Sequence, residues 1–359
     1  MPHTISTDID EFAQSLIDAF DLTFEEDEPQ LSDPLIRWLD FRFRYIDPRP
    51  RQVLKSIDFD NRIPTETKSA LENFILLSES GSDLNPYQTK TIKRNDSSGT
   101  KRQLRTDGLW ADWQILHAHL TTEPLVSGSD FSERSEWLLF FLVQPDHIFL
   151  IDVRSHDEPG IFQAIDLVEK AIRSWPEFGE KFAVKGALRL AQPPETSASA
   201  IKQIRTGGVS QLLEIDGVVY MSPGLGVTSA STSVRVSLER NRVKQLAENI
   251  GTFFTNTDGE PMRTVRARGV TDPSFSLQLS PQGRLIIVCP EAAIHWPFPS
   301  ASHQQDARVQ LEQALLPAWA SAKLAPFLAA RLAKERCKAE HLAQKKFQAG
   351  GASDGDAAE

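Results

Sequence analysis

The chain reads as an α+β protein, an antiparallel β-meander flanked by helices and followed by a second, smaller α+β unit with a helical C-terminus. Three observations lead there. Residues 113–120 (WQILHAHL) and 148–155 (IFLIDVRS) alternate apolar and polar side chains, as half-buried strands do. Between them, 137–143 (WLLFFLV) is continuously apolar, which marks the most buried strand. Gln144-Pro145-Asp146-His147 joins the last two runs through a tight turn, and helical periodicity frames the block on both sides.

The elements follow in order. Phe12, Leu16, Ile17 and Phe20 stand at helical spacing, so 8–20 is expected to be an amphipathic helix. Residues 34–47 (PLIRWLDFRFRYID) allow a strand or a helix, and Pro48-Arg49-Pro50 stops either. A helix over about 64–78 opens at Pro64 and carries Leu71, Phe74, Ile75 and Leu77. Residues 93–106 are polar, basic and turn-rich, which predicts a mobile loop. After the meander, a helix starting near Pro159 turns Phe162, Ile165, Val168 and Ile172 to the sheet. The stretch 191–200 (AQPPETSASA) reads as a linker. Beyond it, Asp216-Gly217 is a two-residue hairpin turn, 235–250 is a helix ended by Gly251, and Ser280 to Gly283 closes another hairpin between 275–279 and 285–289. A helical tract over about 305–347 is expected to break or bend near Pro317 and Pro326, ahead of a disordered tail. The expected organisation is an acidic segment (1–33), a first domain (34–190), the linker (191–200), a second domain (201–347) and a tail (348–359).

Composition excludes several classes. With 40% hydrophobic and 25% charged residues among 359, the chain is neither a disordered polymer nor a collagen-like repeat. Cys289 and Cys337 are the only cysteines and neither belongs to a CxxC pair, so a disulfide scaffold is excluded and free thiols in a reducing compartment are expected. No apolar run approaches the roughly 20 residues of a membrane span. The N-terminal stretch lacks a basic start and apolar core, so the expected location is the cytoplasm.

The net charge of −10 is unevenly placed. Residues 1–33 hold ten acidic side chains and no Lys or Arg, whereas 34–106 hold fourteen basic and nine acidic ones. Arg37, Arg42, Arg44, Arg49, Arg51 and Lys55 form a basic run that suits a polyanion, with Glu25 to Glu28 either a solvated loop or an acidic flap over it.

Histidine placement is the sharpest chemical signal. Four of the eight, His117, His119, His147 and His156, lie within 117–156. Because alternate side chains of a strand share a face, His117 and His119 point away from Leu116, Ala118 and Leu120, and Asp152, Arg154 and His156 point away from Ile151 and Val153. If both polar faces lie on one side of the sheet, three imidazoles, a carboxylate and a guanidinium converge. Such a group suits RNA cleavage, with His117, His119, His156 and Asp152 sharing acid and base work and Arg154 holding phosphate. It also suits a metal held by nitrogen and oxygen donors, or an ordinary half-exposed sheet face with Asp152 and Arg154 paired. Asp107 or Asp112 is placed to orient an imidazole, Trp110 or Trp113 to stack a base or anchor the core, and Arg134, at the mouth of the central strand, to reach phosphate or join a surface ion pair.

The run from Trp113 to His156, with Arg134 before the central strand and Arg154 and His156 closing the last, resembles the sheet of RelE-type bacterial toxins, compact RNases of helix-plus-meander fold. The resemblance covers about 45 residues and implies Arg134, Arg154 and His156 as phosphate or proton-transfer residues. Greater length, an acidic balance and His117-x-His119 set this chain apart from them.

The leading expectation is thus a metal-independent nuclease, toxin or defence component acting on RNA rather than DNA, with no cofactor. The alternatives are a non-catalytic module that grips nucleic acid or protein through the basic run, or a metal-binding His/Asp site. The glycine-bearing loop Pro223 to Ser229 is a turn or an anion cradle, and His295-Trp296-Pro297-Phe298-Pro299 an aromatic loop that serves as an apolar anchor or a partner-binding spot. The apolar stripe of the C-terminal helices suits core packing or association with a protein partner.

Overall fold

The computed structural model describes residues 4–25, 32–96, 106–123, 125–187 and 197–350, with side chains as far as residue 341. Glu26 to Glu28 of the acidic segment, most of the 93–106 loop, most of the 191–200 linker and the terminal tail lie outside the described residues. The fold is α+β, and it contains two compact units, residues 21–243 and residues 1–20 with 244–359. This division differs from the one expected at 191–200. Residues 201–243 cluster with the meander and the first helix clusters with the C-terminal half.

The smaller unit begins with α1 (Ile5–Ala19), whose first turn is capped by the Thr4 hydroxyl accepting from the Thr7 amide. In the larger unit, α2 (Pro34–Arg44) resolves the open choice at 34–47 in favour of a helix. Asp33 accepts from the Ile36 amide at 3.1 Å, and Pro34 occupies the first turn, where its missing N–H costs nothing. Strand β1 (Gln52–Lys55) follows, and α3 (Lys68–Ser80) lies one turn beyond the predicted start at Pro64. A short helix, α4 (Gly108–Trp113), leads into β2 (Leu116–His119), β3 (Trp137–Val143) and β4 (His147–Ser155). Then come α5 (Ile165–Ser174), α6 (Ala198–Thr206) and the hairpin β5 (Leu213–Ile215) to β6 (Val218–Tyr220). Asp216 and Gly217 both have positive φ, 52° and 80°, as this tight hairpin turn requires.

The main sheet has the order β1-β4-β3-β2. The meander is antiparallel throughout, with β3 central, and β1 adds a parallel edge on β4 that sequence patterning did not show. Leu138, Phe140 and Leu142 of β3 pack against Leu167, Val168, Ala171 and Ile172 of α5. On the other face Phe141 meets Phe74 of α3, with ring centroids 5.4 Å apart. A register shift between Phe140 and Phe141 makes a bulge opposite Ile151.

Helix α7 (Val234–Thr255) runs on through Gly251 and passes the division between the units. The smaller unit continues with α8 (Glu260–Arg266) and a three-stranded antiparallel sheet of β7 (Ser276–Leu279), β8 (Leu285–Cys289) and β9 (Ile294–Pro297). The segment expected as an aromatic loop is therefore an edge strand, where Pro297 is tolerated. Phe254, Phe275 and Trp296 form its aromatic core, with centroids 5.2 to 5.9 Å apart. Helix α9 (Ala307–Leu315) ends before Pro317, and α10 (Ala318–Gly350) continues through Pro326. No helix among the described residues is long and apolar enough to cross a membrane.

Candidate active site

Register decides which side chains share a face. His117 pairs with Phe140, which pairs with Asp152, and His119 pairs with Leu138, which pairs with Arg154. Residues directly opposite one another lie on the same side of a sheet, so the two histidines, Asp152 and Arg154 do share one face. Two separate clusters occupy it, because β3 stands between β2 and β4 and fills the middle with Leu138 and Phe140.

The first cluster is built from imidazoles. His119 and His156 stack with ring centroids 5.9 Å apart and planes 19° from parallel. His156 lies just past β4, where its amide donates to the Glu136 carbonyl at 2.6 Å and fixes the turn of the chain. His119 is 6% exposed, and its Nδ1 lies 3.4 Å from the Ser135 amide nitrogen and 3.3 Å from the Ser135 carbonyl oxygen. That leaves Nε2 as the nitrogen available for chemistry. Burial pushes the His119 pKa down to about 4; the Ser135 bond opposes the shift and the charges of His117, His156 and Arg134 add to it.

His117 lies deeper. Its ring packs on Phe140 and Phe162, at 5.9 and 5.1 Å, and its Nδ1 is 3.5 Å from Asp107 Oδ2. Burial depresses its pKa, Asp107 acts in the opposite sense, and His156 and Arg44 reinforce the depression. Asp107 has a second task, since its Oδ1 accepts from the amides of Leu109 and Trp110 and caps α4. The carboxylate that faces His117 is thereby held in place by a helix terminus. The Gln88 segment bridges Ala118 on the outer edge of β2, so the histidine strand is not an open edge.

Arg134 is exposed and has no ion-pair or hydrogen-bond partner among the described residues, while its charge acts on His119. It is a cation free to meet a phosphate beside the imidazoles.

The second cluster is an ion network that corrects the expectation for Asp152 and Arg154. Asp152 is 2% exposed and accepts from Arg62, Arg154 and Lys170; burial pushes its carboxyl up, and Lys170 and Arg154 outweigh that and hold it below the usual range. Arg154 divides its guanidinium among Asp152, Glu158 and Asp166. Neither residue is free to orient an imidazole or hold a phosphate, because each is saturated by its neighbours. Arg62 and Lys170 escaped the sequence reading; only the i,i+4 spacing of Asp166 and Lys170 on α5 hinted at the network.

The basic run is also corrected. Arg37 is fully buried and donates to the carbonyls of Thr23, Ile92 and Lys93. Arg44 is buried between Asp40 and the Trp110 ring. Arg51 is buried and braces Asp47 and the Gln144 carbonyl, and half-exposed Arg49 clamps Pro145, Asp47 and Asp146 at the β3–β4 turn. Arg42 lies over Phe43, which Arg235 also covers, and burial lowers its pKa to about 10. Lys55 pairs with Asp60 at 2.8 Å. These cations hold the larger unit together, so a nucleic-acid grip through them loses its physical basis. Trp110, 3% exposed, and Trp113, in the core beneath α5, offer no ring face to a base. Asp112 pairs with Arg205 rather than with an imidazole.

The glycine loop is a packing device. The Gly224 amide donates to the Asp112 carbonyl and the Gly226 amide to the Ala111 carbonyl, which satisfies the end of α4 and leaves neither N–H to an anion. Among the described residues no group of three His, Cys, Asp or Glu side chains converges to hold a metal ion. The stacked rings and the saturated Asp152 account for this at the histidine face. No family model, curated protein or solved structure matches the chain, so the geometry of this site carries the functional reading.

Proposed function

We propose that the protein is a metal-independent ribonuclease, a toxin or defence component of the cytoplasm, in which His119 and His156 exchange protons with RNA. The observation that carries this reading is the stacked imidazole pair with Arg134, unpaired among the described residues, near enough for its charge to act on His119. Burial keeps His119 neutral near pH 7, so its Nε2 accepts the 2′-hydroxyl proton. The 2′-oxygen attacks phosphorus as the bond to the 5′-oxygen breaks. His156, with its side chain 40% exposed, gives a proton to the leaving oxygen. Arg134 stabilises charge on the phosphoryl oxygens. The products are a 2′,3′-cyclic phosphate and a free 5′-hydroxyl. Asp107 and Phe162 hold the His117 ring two positions before His119 on β2. The resemblance to RelE-type toxins points to the same chemistry through Arg134 and His156, though not through Arg154.

The test is cleavage of RNA by purified protein in excess chelator, with end-group analysis. Cyclic phosphate ends, inert DNA of the same sequence, and a loss of roughly 10²–10⁴-fold in His156→Ala support the proposal. Because His156 is half exposed, that variant folds, as circular dichroism checks. Undiminished cleavage or growth arrest in His156→Ala overturns the catalytic reading.

A further inference from the structure

In the smaller unit, α1, β7 and the start of α10 enclose a groove of about 550 Å³. Positions 8, 11, 12 and 15 of α1 and 325, 328, 329 and 332 of α10 form its walls, and 277–281 its floor. Each helical wall is thus a two-turn stripe with the i, i+3, i+4, i+7 spacing by which helices receive another helix. The walls are apolar through Phe12, Leu277 and Leu328, and the charged lining residues are Asp8 and Glu11. Asp8 accepts the Leu277 amide at 2.6 Å, so Glu11 is the exposed carboxylate at the rim.

The same helix that forms one wall supplies a matching occupant. Every described side chain of α10 from Arg331 to His341 is exposed, and Leu332 at the groove mouth is 56% exposed. The 18 residues beyond Leu332 extend for about 27 Å. A helix of that length without a packed face is marginal in water. Its sequence is basic, with Lys334, Arg336, Lys338, Lys345 and Lys346 against Glu335 and Glu340. Ala325, Leu328, Leu332 and Ala339 fall on one face that runs from the groove wall onto this projecting half, and Glu335 between the last two pairs with Arg331. A rigid helix cannot fold back into its own groove.

We infer that the groove receives the projecting half of α10 from a second copy of the chain, giving a two-fold dimer in which each copy inserts its helix into the other. Reciprocity follows from the symmetry: the surface that donates and the surface that accepts lie on the same unit. Acidic rim and basic helix are complementary, so association weakens as salt is raised.

Sedimentation equilibrium of the full chain tests this. Wild-type protein is expected to be dimeric at micromolar concentration. Leu332→Asp places a carboxylate on that face of α10 and is expected to weaken association at least about a hundredfold. Glu11→Lys, at the rim, weakens it about fivefold. Both positions are solvent-exposed in the single chain, so the variants fold, as circular dichroism checks. Monomeric wild-type protein, which leaves the groove to another partner or to none, overturns the inference, as does a dimer indifferent to Leu332→Asp.

Discussion

His119 and His156 stack face to face at 5.9 Å although their strands are not neighbours: β3 lies between β2 and the end of β4. The contact forms because His156 has left the strand, so its ring reaches back past Leu138, whereas Asp152 and Arg154, still within β4, remain on the far side of β3. Burial, reinforced by the charge of the neighbouring His156, keeps the His119 ring neutral near pH 7.

Stability should therefore fall in weak acid. In the unfolded chain His119 takes up its proton near pH 6.5, whereas in the folded protein it does so only near pH 4. Between those values the unfolded state binds more protons, so the contribution is complete above about pH 6.5, declines as pH falls toward 4, and loses nothing further below. His117 shifts in the same direction and adds to the effect. With allowance for partial solvation, the expected loss from His119 is about 2 kcal/mol. Urea unfolding near pH 7 and near pH 4.5 measures it. His119→Gln should show a shallower slope, and identical pH dependence in the two proteins would contradict the assignment.

The ion network predicts the opposite of a phosphate site. Arg154→Ala should lower stability by about 2 kcal/mol without changing the rate of RNA cleavage per folded molecule. Asp152→Ala leaves Arg62, Arg154 and Lys170 with no common counter-charge and should cost about 3–5 kcal/mol. Chemical denaturation beside an RNA cleavage assay separates these effects. A selective loss of RNA affinity in folded Arg154→Ala would return that residue to the site.

The meander and the alternation of His117 and His119 were legible in the sequence because they depend on local periodicity. The helical state of 34–44 was also written there, in Asp33-Pro34, although the dense aromatic pattern obscured it. The fate of the arginines was not legible. Arg37, Arg44 and Arg51 look like an exposed basic run because charge alone cannot show that the carbonyls of Thr23, Lys93 and Gln144 await Arg37 and Arg51 from elsewhere in the chain. Nor can it show that Asp40 and Asp47, four residues before Arg44 and Arg51, hold them in the interior. Strand β1 was missed for a related reason, since four residues carry too few periods to register. Face-sharing between β2 and β4 followed from alternation, yet the separation of Asp152 from the imidazoles depends on β3 and on α5, which bring Phe140 and Lys170 from elsewhere in the chain.

Arg134 should behave differently from every arginine of the 37–51 run. Because Arg134 is exposed and unpaired among the described residues, its replacement by alanine should change stability by no more than about 0.5 kcal/mol. Cleavage efficiency should fall about tenfold, as expected for loss of one charge-assisted phosphate contact. RNA affinity should also lose about 0.7 of its log–log salt slope. Thermal melting and a salt titration of RNA binding measure the two sides. An unchanged salt slope would remove Arg134 from the site.

Two glycines with different constraints offer a test of the loop that holds α4. At Gly217 the constraint is the backbone, with φ at +80° and open space around the missing Cβ. Alanine there should cost only about 1 kcal/mol. At Gly224 the constraint is contact: a Cβ would lie 1.9 Å from the Ala111 carbonyl oxygen and 3.1 Å from that of Asp112. Backbone atoms cannot yield as a flexible side chain does, so Gly224→Ala must push the loop off the end of α4 and break the Gly224 and Gly226 hydrogen bonds. A cost of at least about 3 kcal/mol is expected, enough to lower the melting temperature by roughly 6–12 °C. The effect should extend to the site, because the same short helix is capped at its other end by Asp107, whose second oxygen faces His117. Folded Gly224→Ala should therefore cleave RNA more slowly than folded Gly217→Ala at the same temperature. Equal stability of the two variants would show that the loop can leave α4 without cost.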